Sequence, residues 1–334
     1  MESEIAQLLQ VAKYDEAEQL CRRLLVEREG SLGANHRLSL LAKNNLGLVL
    51  KHQGKFEEAE QIYRDILLVG QKISCDDPTR FSAIKNNLAI VLRHRGKLAE
   101  AERLHREELE LTEAKWGKGH LSTLTSQNNL ALTLRYQGKF EEAEQILFDT
   151  LARCTKLLGH EHLLTLRVRN NYAMVLGLQS RADAEQALRE AMNASTQLLG
   201  TSHPDSLAIK ENLGRLLEHQ GRYADAELLY REVMGVWESL GSTNHLSWLN
   251  VIDGLSSVLR NQGMYEEAEK LQGQVFELST MIFGPQHPFA SSAGKSLSCI
   301  RDARDSQLAT QSFTEFTMEG NDNDNTGENE YALE

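Results

Sequence analysis

Two recurring sets of side chains carry most of the chemistry available to this sequence. The first is a series of amide pairs, Asn44-Asn45, Asn86-Asn87, Asn128-Asn129 and Asn170-Asn171, closed by Glu211-Asn212. Nine of those ten positions are asparagine, a mediocre helix former whose recurrence asks for a reason. A carboxamide offers both a donor and an acceptor, so a ladder of them can pair with the backbone of an extended peptide without reading its sequence. The second set is basic: Lys51, Arg93 and Arg135, then Arg215 and Arg260, with His52, His94 and His219 beside them. The arginine fork takes both oxygens of a carboxylate. In a chain of net charge −12 such a stripe is a local field that steers acidic ligands. Each set also has a plainer use. The amides can bridge neighbouring helices inside the fold, and the cations can form a solvated face.

Arrangements for catalysis or metal binding are weak. His160-Glu161-His162 has the look of a metal pair, but it lies in a linker where His36, His120, His203 and His287 recur, which points to structural histidines. Gly294-Lys295-Ser296 lacks the glycine a phosphate loop needs five residues earlier, where Phe289 stands. Asn193-Ala194-Ser195 is a glycosylation sequon with no secretory signal to give it meaning. No Ser/His/Asp or Cys/His set stands out. The expectation is a protein that is not an enzyme, with no cofactor and no metal. Cys21, Cys75, Cys154 and Cys299 are far apart and form no CxxC, so a reducing, cytoplasmic setting fits better than a disulfide framework. No basic stretch followed by an apolar one opens the chain, and no apolar run reaches membrane-spanning length. The acidic balance argues against general nucleic-acid binding.

The elements that position these residues follow from a repeat. A small residue recurs as Ala17, Ala59, Ala101, Ala143, Ala184, Ala226 and Ala268, at intervals of 42 residues with one interval of 41. A turn glycine recurs as Gly54, Gly96, Gly138, Gly221 and Gly263, with Ser180 in its place beside the single deletion. Each unit reads as two helices. Leu46, Val49, Leu50 and Gln53 give the first an i, i+3, i+4, i+7 stripe. It ends at the glycine, where a left-handed residue carries no Cβ penalty. The second begins near Phe56 with Ala59, Ile62, Tyr63 and Ile66 at helical spacing, and Glu57, Glu58 and Glu60 suit the positive end of its dipole. Gly47, Ala89, Ala131, Ala173 and Gly214 are small enough to let the two helices approach. Pro78, Pro204, Pro285 and Pro288 all fall between units, where a helix must break. Seven helix pairs follow, the first with a short opening helix at about Ile5 to Val11. A last helix from about Phe289 to Arg304 closes the stack, with Lys295, Arg301, Asp302 and Arg304 as its polar outer face.

The Leu-Gly, Ala and aromatic pattern resembles the tetratricopeptide repeat. The 42-residue period, the Asn-Asn-Leu-Ala opening (Asn86 to Ala89, Asn128 to Ala131), the Gln-Gly-Lys-Phe-Glu-Glu-Ala-Glu core (Gln53 to Glu60, Gln137 to Glu144) and the Leu-Gly-x-x-His-Pro linker (Leu199 to Pro204) resemble more narrowly the kinesin light chain type of that repeat. The resemblance covers residues 1 to about 302 and implies an all-α, right-handed solenoid whose first helices line a concave groove. It places Asn45, Asn87, Asn129, Asn171 and Asn212 on that groove, with Lys51, Arg93 and Arg135 one or two turns later. The stripe lapses at Gly177 and Glu218, so the best pocket is expected in the repeats spanning about 38 to 150. A kinesin light chain carries a heptad coiled coil ahead of its repeats, whereas the first repeat here begins almost at Met1, so a motor-subunit role is not part of the expectation.

Residues 305–334 are expected to form an acidic disordered tail. Residues 319–330 are nearly free of apolar groups, and from Asp302 to Glu334 there are nine acids and one base. The functional expectation is a scaffold or adaptor that holds an extended, acidic segment of a protein partner in the groove, with the tail able to dock there itself. A repeat portion of a fungal-type sensor and a non-catalytic accessory protein of a biosynthetic pathway are the alternatives.

Overall fold

The computed structural model describes residues 2–10, 13–72, 81–241, 246–285 and 287–322, and among these every regular element is an α-helix. The helices fall into seven pairs and a final one. The pairs are α1 (Glu2–Gln10) with α2 (Tyr14–Leu32), α3 (Arg37–His52) with α4 (Phe56–Lys72), and α5 (Ser82–His94) with α6 (Leu98–Trp116). Then come α7 (Leu121–Tyr136) with α8 (Phe140–Leu158), α9 (Leu163–Leu178) with α10 (Ala184–Leu199), α11 (Pro204–His219) with α12 (Tyr223–Ser239), and α13 (Leu246–Asn261) with α14 (Tyr265–Phe283). The closing helix α15 runs Pro288–Asp322. This is the expected solenoid.

Three local features repeat along it. The turn glycines Gly54, Gly96, Gly138, Gly221 and Gly263 all have φ between 73° and 80°, and Ser180 takes the same conformation at φ 58°. The linker histidines cap the first helix of each following pair. Nδ1 of His36, His120, His162, His203 and His287 accepts the backbone N–H two residues on, at 3.1–3.2 Å. An Nδ1 that accepts a hydrogen bond has no free lone pair for a metal, so His162 is a cap. The small positions set the helix separation. A Cβ on Gly47 would meet the Tyr63 ring at 2.8 Å, and one on Gly254 the Tyr230 ring at 2.6 Å, while Ala89, Ala131 and Ala173 are fully buried.

The second helices carry a ladder of ion pairs from one repeat to the next. Arg22 joins Glu18 to Glu58, Arg64 joins Glu60 to Glu100, Arg106 joins Glu102 to Glu142, and Arg231 joins Glu227 to Glu267, all at 2.7–2.9 Å. A second rail, Lys55 to Glu18, Lys97 to Glu60, Lys139 to Glu102 and Arg222 to Glu185, runs beside it. The glutamates read from sequence as dipole partners therefore also tie the repeats together. The outer face expected for the last helix is partly used in the same way, since Arg301 and Arg304 both bind Glu269.

The last helix extends beyond its expected end. The sequence pattern predicts an end near Arg304 and a disordered tail over 305–334, whereas α15 continues to Asp322. No glycine or proline interrupts the chain between Lys295 and Gly320, so nothing local stops the helix. Residues 305–309 are all exposed, so burial is not what keeps this stretch helical. Residues 323–334, Cys75 and Pro78 lie outside the described residues.

Candidate functional site

The first helices lie side by side across successive repeats, α3 on α5, α5 on α7, α7 on α9, α9 on α11 and α11 on α13, and form the inner layer. The asparagine ladder is built into that layer. The second asparagine of each repeat donates to the first asparagine of the repeat before: Asn87 Nδ2 to Asn44 Oδ1 at 3.4 Å, Asn129 to Asn86 at 2.8 Å, Asn171 to Asn128 at 2.8 Å, and Asn212 to Asn170 at 3.0 Å. The amides thus bridge helices, the plainer of the two uses open from sequence. Each bridge commits one donor of the second asparagine and one acceptor of the first. Asn45 begins the series. Asn128, Asn129 and Asn170 are buried, and Asn45, Asn87, Asn171 and Asn212 half-buried.

The cations sit at the ends of the same helices. Lys51, Arg93, Arg135 and Arg260 each lie in the last turn of α3, α5, α7 and α13, where the negative end of the helix dipole favours positive charge. None of the four forms a salt bridge within the described residues. Arg93 is the extreme case. Its Nε and Nη1 are buried with no hydrogen-bond partner, and its guanidinium lies 5.5 Å from the centre of the Tyr136 ring. Arg135 covers the same ring at 5.1 Å. Burial pushes the Tyr136 hydroxyl up, but Arg135, Arg93 and Arg215 outweigh it and bring its pKa below the ordinary tyrosine value. Burial, then Arg93 and Arg167, bring the Lys51 ammonium down to about 8. Burial and the nearby Arg93 and Lys51 bring His94 down to about 3, so its imidazole is neutral at physiological pH.

A cavity of about 780 Å³ opens on this layer. Its walls include Arg93, Tyr136, Arg215 and Arg260, with Glu218 and Asp253 as the acidic contribution. Arg215 is already held by Glu211 at 2.9 Å, whose own carboxyl is pushed up by burial. The cavity is not confined to the repeats over 38–150, where the sequence placed the best pocket. It draws on α5 and α7 and equally on α11, α13 and the start of α15, because the solenoid curves until its two ends face one another. Lys51 and Arg135 lie outside its walls, and Arg93 alone of the three expected cations is in them. Tyr136 was missed from sequence, although it occupies the register of His52 and His94, one period on.

Among the described residues no His, Cys, Asp or Glu cluster could hold a metal ion, and no helix is long and apolar enough to cross a membrane.

Family models of the tetratricopeptide repeat match residues 3–67, 80–147 and 178–239, and a second such model matches 248–289. The chain belongs to the tetratricopeptide repeat family. Solved structures similar to this tetratricopeptide repeat protein include a putative kinesin light chain from Podosopora anserina with nearly identical TPR-like repeats. It is 23% identical with a TM-score of 0.47, over 63% of this chain and 99% of that one. BtubC (BKLC) from P. vanneervenii is 22% identical with a TM-score of 0.48, over 70% and 91%. A Rap protein complexed with Competence and Sporulation Factor is 13% identical with a TM-score of 0.57, over 91% of this chain and 98% of that one, a likeness of fold along nearly the whole repeat stack. No curated protein matches the chain.

Proposed function

We propose that this protein is a non-catalytic interaction scaffold that binds an extended, acidic segment of a partner protein along its inner helices. The observation that carries this reading is the set of inner-layer cations without carboxylate partners, above all Arg93 with two buried, unpaired nitrogens. Leaving buried donors unmet costs about 1–3 kcal/mol, and a carboxylate ligand recovers that cost on binding. In this reading the ladder amides at Asn45, Asn87, Asn129, Asn171 and Asn212 meet the ligand backbone. Lys51, Arg93 and Arg135 meet its acidic side chains. Tyr136 supplies the flat surface between two of the arginines. The acids of the chain's own C-terminal segment, from Glu315 onward, have the same chemistry, so that segment is a candidate first occupant. We place the protein in a reducing, cytoplasmic setting, which suits Cys21 and Cys154, free buried thiols raised to about 11 by burial.

The test is fluorescence anisotropy with labelled deca-glutamate, deca-glutamine and deca-lysine peptides, on wild-type protein and on Arg93→Glu with Arg135→Glu. The reading expects a preference for deca-glutamate that the double variant abolishes. Equal affinity for all three peptides, or a double variant that binds like wild type, refutes it. Deleting residues 305–334 raises deca-glutamate affinity if the C-terminal segment competes for the groove.

A further inference from the structure

The curvature that brings the two ends of the solenoid together also makes them touch. The end of α14 reaches the turn between α3 and α4. Phe283 lies against Gly54, where a Cβ would overlap the Phe283 ring, and it stacks on Phe56 with ring centres 6.0 Å apart and planes 13° from parallel. Phe56 in turn stacks on His94 at 4.8 Å, and Phe283 packs on His287 at 4.7 Å and edge-on to Phe289 at 6.1 Å. Five rings from the second, third and last repeats thus form one cluster. Gly54 is required twice, by its left-handed φ of 76° and by the space Phe283 fills.

This contact has its own character. Among the described residues, successive repeats pack helix on helix along their length, whereas here one ring meets a turn. Space is left on both sides of it. The cavity of about 780 Å³ lies on one side, with Phe56, His94, His287 and Phe289 in its wall, and a second of about 530 Å³, walled by Gly54, Phe56, Arg95 and Phe283, on the other. An aromatic bridge flanked by two voids has few atoms to hold it and little to resist its parting. Four of its rings share the wall of the larger cavity with Arg93, Arg215 and Arg260.

We propose that Phe283, seated on Gly54 and Phe56, is a clasp that joins the last repeat to the second and gates the inner groove, so that an extended acidic peptide is laid in only when the clasp opens. The gating half rests on the acidic-peptide reading above; the clasp itself does not. A peptide too long to enter end-on must cross this seam, and the rings that form the seam also wall the ligand cavity. Binding and clasp state are therefore coupled through shared residues.

The test places spin labels on the exposed positions Gln61→Cys of α4 and Glu277→Cys of α14, with Cys75 and Cys299 changed to Ser, and measures their separation by double electron–electron resonance. Wild type is expected to give one short, narrow distribution and Phe283→Ala a longer, broader one. The association rate of fluorescein-labelled deca-glutamate, measured by stopped flow, is expected to rise at least about fivefold in Phe283→Ala. Phe283 is half-buried at the edge of the core, and an unchanged far-UV melt verifies that the variant folds. Identical distance distributions in the two proteins overturn the clasp. A shifted distribution with an unchanged association rate overturns the gate. A shifted distribution with no peptide binding in either protein overturns the acidic-peptide reading and the gate with it, while the clasp stands.

Discussion

The outer ladder of this solenoid and the Arg93 end of its inner layer use arginine in opposite ways, although Arg167 and Arg215 elsewhere on the inner layer are paired with Asp205 and Glu211. On the outer layer Arg22, Arg64, Arg106 and Arg231 are each satisfied twice, as Arg64 is by Glu60 behind and Glu100 in the next repeat. Glu60 shows the result. Burial alone would push its carboxyl up, yet hydrogen bonds from Lys97, Arg64 and Arg95 bring it down to about 2. On the inner layer Arg93 has an aromatic ring, a helix end and other cations for neighbours, and its pKa is lowered by burial with Arg135 adding repulsion. The period is the same in both layers, and only the company differs. A repeat that drew stability from Arg93 would place a glutamate opposite it, and the sequence does not supply one. The difference separates charge that holds the repeats together from charge kept for something outside the chain.

The largest effects should come from exchanging these roles. Arg93→Glu is expected to weaken deca-glutamate binding by about 100-fold, in the range seen when one partner of a desolvated charge pair is lost. The same change should leave the melting temperature unchanged or raise it, because it removes an unpaired cation from a cationic cluster. Titration and a thermal melt on one sample decide the matter, and a large loss of stability would mean that Arg93 is structural after all. Glu60→Gln is the mirror experiment. It should cost about 2 kcal/mol in urea unfolding, since it strips a 7% exposed carboxylate from three cations, and leave peptide affinity within twofold. The outer layer also sets the acid response. Glu18, Glu60 and Glu102 all titrate near 2 in the folded chain against an ordinary 4.5, so their contribution is complete above about pH 5 and is lost as pH falls from 4.5 toward 2. Glu60→Gln should flatten part of that slope.

What the sequence made legible follows the same division. The repeat, the helix pairs, the turn glycines and even Ser180 at the glycine position could be read because each is fixed within one 42-residue unit. The outer ladder could have been read too. Arg22, Arg64 and Arg106 share one register, and Glu58, Glu100 and Glu142 another, but pairing them needs the pitch of the stack. The asparagine register was legible and its bonding was not, because either use of an amide places it on the same face. Curvature was the least legible quantity. It is a small rotation per repeat, summed along the chain, and no single unit encodes it. The residues that depend on it, Phe283 against Gly54 and Arg260 across from Arg93, lie far apart in sequence and had no reason to be associated. The extent of α15 escaped for another reason: composition argued against a packed segment, and an exposed helix does not need one.

Lys51 gives a finer probe of the inner layer. Its ammonium is brought down to about 8, so in the folded chain the charged form is disfavoured below that pH, and the penalty fades as pH rises from 8 toward 10.5. An acidic ligand stabilises the charged form and raises that pKa. Binding at pH 8 to 9 should therefore take up a proton, and affinity should be flat below pH 7.5 and fall by about threefold toward pH 9. Calorimetry in buffers of different ionisation heat measures the uptake directly. Lys51→Gln should abolish both the uptake and the slope, and a wild-type profile that stays level to pH 9 would remove Lys51 from the ligand site.

The smallest effect concerns a place where the outer layer breaks its own rule. Phe148 stands where the register calls for the ladder arginine, is 56% exposed, and touches Tyr172 with ring centres 6.2 Å apart. Glu144, one turn before it, and Asp183, in the next repeat, are the residues an arginine there would join, and Arg181 already spans them at 3.6 and 3.8 Å. Phe148→Arg should therefore add no more than about 0.5 kcal/mol, the worth of an exposed pair, and the gain should vanish in about 0.5 M salt. A gain that survives salt would come from packing and not from a restored rung. A loss would mean that the Phe148–Tyr172 contact already does for this repeat what the ion pairs do for the others, and that the outer layer holds its repeats by proximity of any kind, while the inner layer alone is particular about charge.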